Sequence, residues 1–319
     1  MIRNVKAAAS TKGKPALAIL GEFFVDLVFY NLPCTPRMGK EVKTNGFSRF
    51  PGGGLATTAL VAAGLGTPTS VFTRIGRDAP SSPVWQKLPK EGISVGGCEI
   101  DARLPTAMTI CAAFDGDRMM ITHDPINANL ERLLAHDLRR RAIRKATHLH
   151  LACALRPPRT WVPAICGFRK HGLTISADIG WNPEVLESQQ LPDLLKECEF
   201  VFPNEVEARA MTGERSIERA ARKLARSVAV AVIKLGEDGS LAARNGEVLR
   251  VRSMRVRALD ATGAGDAFNG GFLHGYLAGW PLEDCLKAGN VCGALATTQP
   301  GGSSAIPSRK ELRKLMKRL

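Results

Sequence analysis

Apolar positions in this chain gather into short runs separated by turn-forming residues, and the runs are of two kinds. Leu17 to Leu20, Ala146 to Leu151, Leu173 to Ala177, Phe200 to Pro203 and Val228 to Leu235 have the length and apolar character of buried strands. Leu55 to Gly64, Trp161 to His171 and Leu191 to Cys198 read as helices lying between them. Alternation at this spacing predicts an α/β fold, a parallel sheet with helices on both faces. After Leu17 to Leu20 and Gly21-Glu22, the segment Val25-Asp26-Leu27-Val28 reads as an outward continuation of the first strand. Two stretches leave the pattern. Phe29 to Phe50 is polar and turn-rich, and Thr106 to His123 alternates around a tight turn at Asp115-Gly116-Asp117.

The most informative periodicity lies between Ala267 and Leu277. Phe268, Phe272 and Tyr276 recur four apart, with Leu273 and Leu277 beside them, so one face of a helix is apolar and packs inward. Its start is therefore fixed against a core. Immediately before it stand Gly263, Ala264 and Gly265, whose side chains are small or absent, so a ligand can approach their backbone N–H groups. At a helix N-terminus those groups have no intrahelical partner and suit an anion. Asp266 places a carboxylate inside that anion hole. A carboxylate there repels a phosphate unless it has chemistry to do, and taking the proton from an attacking hydroxyl is the obvious task. Asp260 to Asp266 thus reads as a phosphoryl-transfer centre, against the plainer reading of a Gly-rich turn with an acid at a helix start.

Other motifs fall at strand ends. Pro51-Gly52-Gly53-Gly54 precedes the small-residue helix Leu55 to Gly64. Asn204 and Glu207, delivered by the strand Phe200 to Pro203, have capping-box spacing. Lys234 interrupts an otherwise apolar strand that ends in the turn Gly236 to Gly239. Leu286 to Thr298 is a small-residue helix followed by the loop Gln299 to Gly302.

Taken together, Asp260 to Phe268, the glycines of Gly52 to Gly54, Val71 to Asp78, Asn204 with Glu207, and Lys234 to Gly239 resemble, in order, the signatures of the ribokinase-like (phosphofructokinase B-type) carbohydrate kinases. The resemblance runs from about Leu17 to Pro307. It implies a three-layer sandwich around a mostly parallel sheet (16–28, 51–104 and 125–319) with a small β-sheet lid (29–50 and 105–124). It also implies an ATP-dependent sugar kinase in which Asp266 is the general base and Gly263, Ala264 and Gly265 form the anion hole. Asp26, Gly52, Gly53, Gly54 and Thr57 would bind the sugar. Thr57 stands where the family usually has Asn, which leaves the preferred sugar open. Lys234, Gly236, Gly239 and Asn290 would border the nucleotide, and Asn204 and Glu207 would position Mg2+, largely through water. Asp260, Thr262, Ala296 and Gly301 would form a site for a monovalent cation such as K+, although Ala305 replaces a Ser that contributes in relatives. A homodimer through an exposed face of the lid follows from the same resemblance.

Composition narrows the alternatives. The 319 residues carry a net charge of +14, with basic clusters at Arg139 to Lys145 and Arg309 to Arg318. No nucleic-acid module or aromatic-interleaved basic patch accompanies them, so they read as solvated helix faces. The eight cysteines show no C-x-x-C pair and no His at ligand spacing, which argues against a disulfide frame or a zinc site. There is no Walker A loop and no strand-linked G-x-G-x-x-G. No apolar run approaches the ~18 residues a membrane span requires. Residues 1–15 are expected to be a disordered basic lead and the protein cytoplasmic. The reading is an ATP- and Mg2+-dependent kinase for a monosaccharide such as ribose, fructose or a keto-deoxy sugar acid. Its rivals are a nucleoside kinase of the same fold and a non-catalytic sugar-binding sensor.

Overall fold

A computed structural model describes residues 16–114 and 117–319. The expected lead at 1–15 and the first two residues of the Asp115-Gly116-Asp117 turn lie outside the described residues. Eight strands form the larger sheet, in the spatial order Glu247–Val251, Ser240–Arg244, Val230–Lys234, Phe200–Val201, Thr174–Asp178, His148–Ala152, Leu17–Gly21 and Thr69–Phe72. The six from Val230–Lys234 to Thr69–Phe72 are mutually parallel, and the other two complete the sheet as an antiparallel edge.

Residue alternation builds the layers. Leu149, Leu151, Ile175, Ala177, Ala231 and Ile233 point into one core, beside the helix Pro158–Lys170, which contributes Trp161, Ile165 and Phe168. Leu17, Ile19, Phe200, Val230 and Val232 point into the other, against the helices Gly53–Gly64 and Ala264–Leu277. Near-continuous apolar runs are what a sheet covered on both faces requires. The expected apolar face of the long helix is buried, with Phe272 and Tyr276 crossing Phe200 edge-on at centroid distances of 5.0 and 4.8 Å. Each such ring contributes about 1.5–3 kcal/mol by burial, with up to ~1 kcal/mol more from edge-to-face geometry.

This helix begins three residues earlier than the periodicity indicates, at Ala264. Gly263 precedes it at φ 70°, in the left-handed region that glycine enters without penalty, and so turns the chain directly into the first helical residue.

The smaller sheet has the order Gly46–Gly52, Phe24–Tyr30, Met108–Phe114 and Asp117–His123. Val25 to Val28 therefore do not continue the first strand. They belong to the small sheet, paired antiparallel with Gly46–Gly52 and parallel with Met108–Phe114. The boundary drawn at residue 28 falls inside a lid strand, and Pro51 and Gly52 end another. The physical reason is the break at Glu22-Phe23: Phe23 is wholly buried in the large core, and the chain leaves one sheet for the other around it.

Candidate active site

Parallel strands end at a common edge, and register decides which residues meet there. Gly21, Ala152 and Asp178 are paired in one row, and Lys234 closes the next parallel strand but one, bridging to Asn204. The helix Ala264–Leu277 starts above this edge, and the small sheet covers it from the other side. Two cavities result.

One, of about 260 Å³, lies between the small sheet and the helix start, lined by Asp26, Thr109, Met120 and Thr122 from the sheet and by Gly53, Thr57, Thr262, Gly263 and Asp266 from the body. The other, of about 680 Å³, is lined by Lys234, Gly236 to Gly239, Ser253 to Val256, Ala264, Gly265, Phe268, Asn290 and Gly293. The first helical turn is the wall between them, with Gly263 and Asp266 facing one and Ala264 and Gly265 the other. The amides of Gly265 and Asp266 have no carbonyl one turn back to bond to, so donors and a carboxylate converge where a group could pass between the cavities.

Asp266 is held close. A Cβ on Gly54 would lie 3.2 Å from its Oδ1, and Thr58 Oγ1 donates to its backbone carbonyl at 3.1 Å. Burial, followed by the nearby Asp178 carboxylate, pushes the Asp266 carboxyl up to about 7, while Lys234 pulls it down. Asp26 is 7% exposed, and burial together with the charge of Asp260 raises it to about 7 as well. Its carboxylate packs on Gly52, where an added Cβ would stand 2.1 Å from Oδ2. Gly52 is thus a seat for Asp26 rather than a cavity wall.

The proposed cofactor residues meet in the larger cavity. Asn290 is buried and spends both amide hydrogens on the carbonyls of Val251 and Arg252, each at 3.1 Å, fixing the segment that forms one cavity wall. Lys234 donates to Asp178 Oδ2 at 2.6 Å, and Asn269 Nδ2 donates to the same oxygen at 2.6 Å. Burial alone would raise Asp178, but the Lys234 charge and these two hydrogen bonds outweigh it and hold the carboxyl below its ordinary range.

Asn204 and Glu207 form the full capping box, Glu207 N to Asn204 Oδ1 at 2.9 Å and Asn204 N to Glu207 Oε2 at 2.8 Å. Burial and then Asp178 raise the Glu207 carboxyl. A carboxylate has about four acceptor sites, so the cap leaves capacity for a water-mediated hard cation. Neither residue lines either cavity. Asp260 accepts from Thr262 N at 2.9 Å and Gly301 N at 3.0 Å, tying the two loops together. Gly301, at φ 83°, lies under the Phe50 ring of the small sheet, where any side chain would collide. Ala296 is packed in an apolar cluster with Leu65, Ala267 and Leu312, so only its backbone is free to serve a cation.

Sequence reading did not single out Asp178, Asn269, Thr109, Met120 or Thr122. Asp178 did carry a signal, an acid directly after an apolar strand, which in a parallel sheet means the carboxyl edge. The others depend on which face of a lid strand or helix turns inward.

A family model described as pfkB family carbohydrate kinase matches residues 14–309. The ribokinase of Haemophilus influenzae is 27% identical over 307 residues, covering 93% of this chain and 97% of that one. The cytidine kinase of Thermococcus kodakarensis is 30% identical over 252 residues, covering 75% of this chain and 85% of that one. The crystal structure of Thermotoga maritima ribokinase superposes with a TM-score of 0.77 at 26% identity, covering 95% of this chain and 99% of that one.

Proposed function

The chain belongs to the pfkB family of carbohydrate kinases and is a phosphotransferase with an alcohol group as acceptor, and from that premise we propose that it moves the γ-phosphoryl group of ATP to a primary hydroxyl of a neutral monosaccharide such as ribose or fructose. The observation that carries this reading is the shared wall: Asp266 faces the small cavity while Ala264 and Gly265 face the large one. An acceptor hydroxyl in the former and a polyphosphate in the latter meet only across that turn.

ATP would supply the phosphoryl group, and Mg2+, which Asn204 and Glu207 would position through water, would offset its charge. The chain's own residues do the remainder. Asp266 accepts the hydroxyl proton, the first-turn amides donate to the oxygens that carry the transferred charge, and the lid excludes water. Asp26 accepts hydrogen bonds from sugar hydroxyls, with Gly53 and Thr57 closing the floor. Lys234, Gly236, Gly239 and Asn290 border the nucleotide. Asp26 and Asp266 in one cavity of about 260 Å³ disfavour the keto-deoxy sugar acids, because a third carboxylate would be added to two.

Asp260, Thr262 and Gly301 would hold a monovalent cation, to which Ala296 would contribute its backbone carbonyl. Phe47, Met108, Ile110, Met119 and Ile121 are exposed large apolar side chains of the small sheet, and a homodimer through this sheet would cover them. Among the described residues no helix is long and apolar enough to cross a membrane.

The test is a screen of the purified protein with ATP and Mg2+ against ribose, fructose, 2-keto-3-deoxygluconate, adenosine and cytidine, reading ADP release. Turnover with a neutral sugar supports the proposal. A strong preference for the sugar acid or a nucleoside overturns the substrate assignment, and sugar binding with no ADP release from any acceptor identifies a sensor.

A further inference from the structure

The edge of the sheet below the helix start is crowded with like charge. Asp178 from one strand, Glu207 from the capping box and Asp26 from the lid all act on Asp266 at the helix start, and the Lys234 ammonium acts on Asp266, Asp178 and Glu207. A polyphosphate in the larger cavity lies near this cluster, across the first helical turn from Asp266, and the ionised carboxylates oppose it.

Lys234 is unusual in how firmly it is held. Its ammonium is bonded to Asp178 at 2.6 Å, with side-chain exposures of 13% and 9% for the pair. A Cβ placed on Gly265 would lie 3.2 Å from its Nζ, so the charge is directly behind the turn that separates the two cavities. Asp178 is in turn fixed by Asn269, one turn into the same helix, and faces the buried His150 from the neighbouring strand. An ammonium has three donors, and Asp178 takes one. The remainder of the group lines the larger cavity.

We infer that Asp178 and Asn269 form a clamp that fixes the Lys234 ammonium behind Gly265 as the protein's own counter-charge, facing the polyphosphate on one side and the Asp266 carboxylate on the other. Lys234 is the group that touches the nucleotide, and Asp178 and Asn269 are positioning residues that act through it. The inference rests on the kinase reading. It adds what keeps an acidic floor compatible with an anionic ligand and what keeps the base ionisable. The two members of the ion pair then have opposite effects on Asp266, because Lys234 favours its charged form and Asp178 disfavours it.

The experiment compares the parental chain with Lys234→Met, Lys234→Arg and Asp178→Asn. ATP and AMP affinities are measured by calorimetry without acceptor, thermal stability without ligand, and kcat/KM across pH. Lys234→Met is expected to weaken ATP by about 10- to 100-fold, the range of one charge-assisted hydrogen bond, with AMP within about two-fold. Lys234→Arg should restore part of the ATP affinity. The acid limb of kcat/KM should move up in pH for Lys234→Met and down for Asp178→Asn, and kcat of Asp178→Asn should stay depressed at pH 9, where the base is ionised in every variant. Equal losses for ATP and AMP, or unfolding with both limbs unmoved, make the pair merely structural and overturn the inference. So does an Asp178→Asn variant with parental kcat at pH 9. A parental chain that binds ATP yet phosphorylates no sugar overturns only the sugar assignment, since the ATP-to-AMP ratio is read without turnover.

Discussion

Replacing Asp266 by Asn sets function against stability. The amide keeps the size and most of the hydrogen-bonding shape of the carboxylate but cannot take a proton. The transfer step should slow ~10²–10⁴-fold, equivalent to about 3–5 kcal/mol of barrier. The fold should respond the other way. Burial and Asp178 lift this carboxyl from 3.8 to about 7, so the ionised form is disfavoured in the native state. At about 1.36 kcal/mol per unit the ceiling is ~4 kcal/mol, and the open cavity in front of Asp266 brings the expectation to about 1–3 kcal/mol. Because the native pKa is the higher one, the charge destabilises the fold fully only above about pH 7. The gain from Asn is therefore complete at pH 8, shrinks as pH falls and is mostly gone near pH 4, where the native carboxyl is protonated and the unfolded one about half so. At roughly 2 °C per kcal/mol, the melting temperature should rise by about 2–6 °C at pH 8. Thermal scans at pH 8 and pH 4, with ADP release at saturating sugar, give both quantities. A variant that turns over near the parental rate removes Asp266 as the base. A variant less stable than the parent at pH 8 shows that burial is not what raises the carboxyl.

Asp26 and Asp266 are both lifted to about 7, so kcat/KM should fall below pH 7 with a log–log slope approaching two; a slope of one would release Asp26 from sugar binding. Glu207→Gln retains an acceptor for the Asn204 amide, so the melting temperature should hold within about 2 °C while the Mg2+ concentration for half-maximal rate rises several-fold. An unchanged Mg2+ curve leaves only the helix cap. Rates in K+ should exceed those in Na+ and in a bulky organic cation if the Asp260 and Gly301 loops hold a cation, and equal rates in all three remove that site. Ile121→Lys, at a side chain 62% exposed on the small sheet, should convert a dimer to monomers in sedimentation, and a parental chain that already sediments as a monomer refutes the lid interface.

Much of this could be read before any coordinates, and for identifiable reasons. Phe268, Phe272 and Tyr276 announce a buried helix by spacing alone, and the glycines ahead of it announce a turn open to close approach at its start, because both signals lie within about twenty consecutive residues. Asp178, Lys234 and Asn269 are scattered over 91 positions and meet only through sheet register and the helix that crosses it. The lid boundary was misplaced for a related reason. Leu17 to Val28 is apolar on both sides of a two-residue break, and nothing local distinguishes a strand that continues from one that changes sheets.

The smaller cavity has no walls of its own. Asp26, Thr109, Met120 and Thr122 come from the small sheet, while Thr57, Gly263 and Asp266 come from the body, so the proposed acceptor site is a seam between two parts and is dismantled by whatever parts them. A sugar held across such a seam acts as a fastener. Its measured affinity is the intrinsic affinity multiplied by the fraction of time the seam is shut. Substitutions at Phe50, whose ring packs on Gly301 and joins the two halves without lining the cavity, should then register as changes in sugar affinity, and the chain could drift in sugar preference by altering how it closes while every sugar-facing residue stays the same.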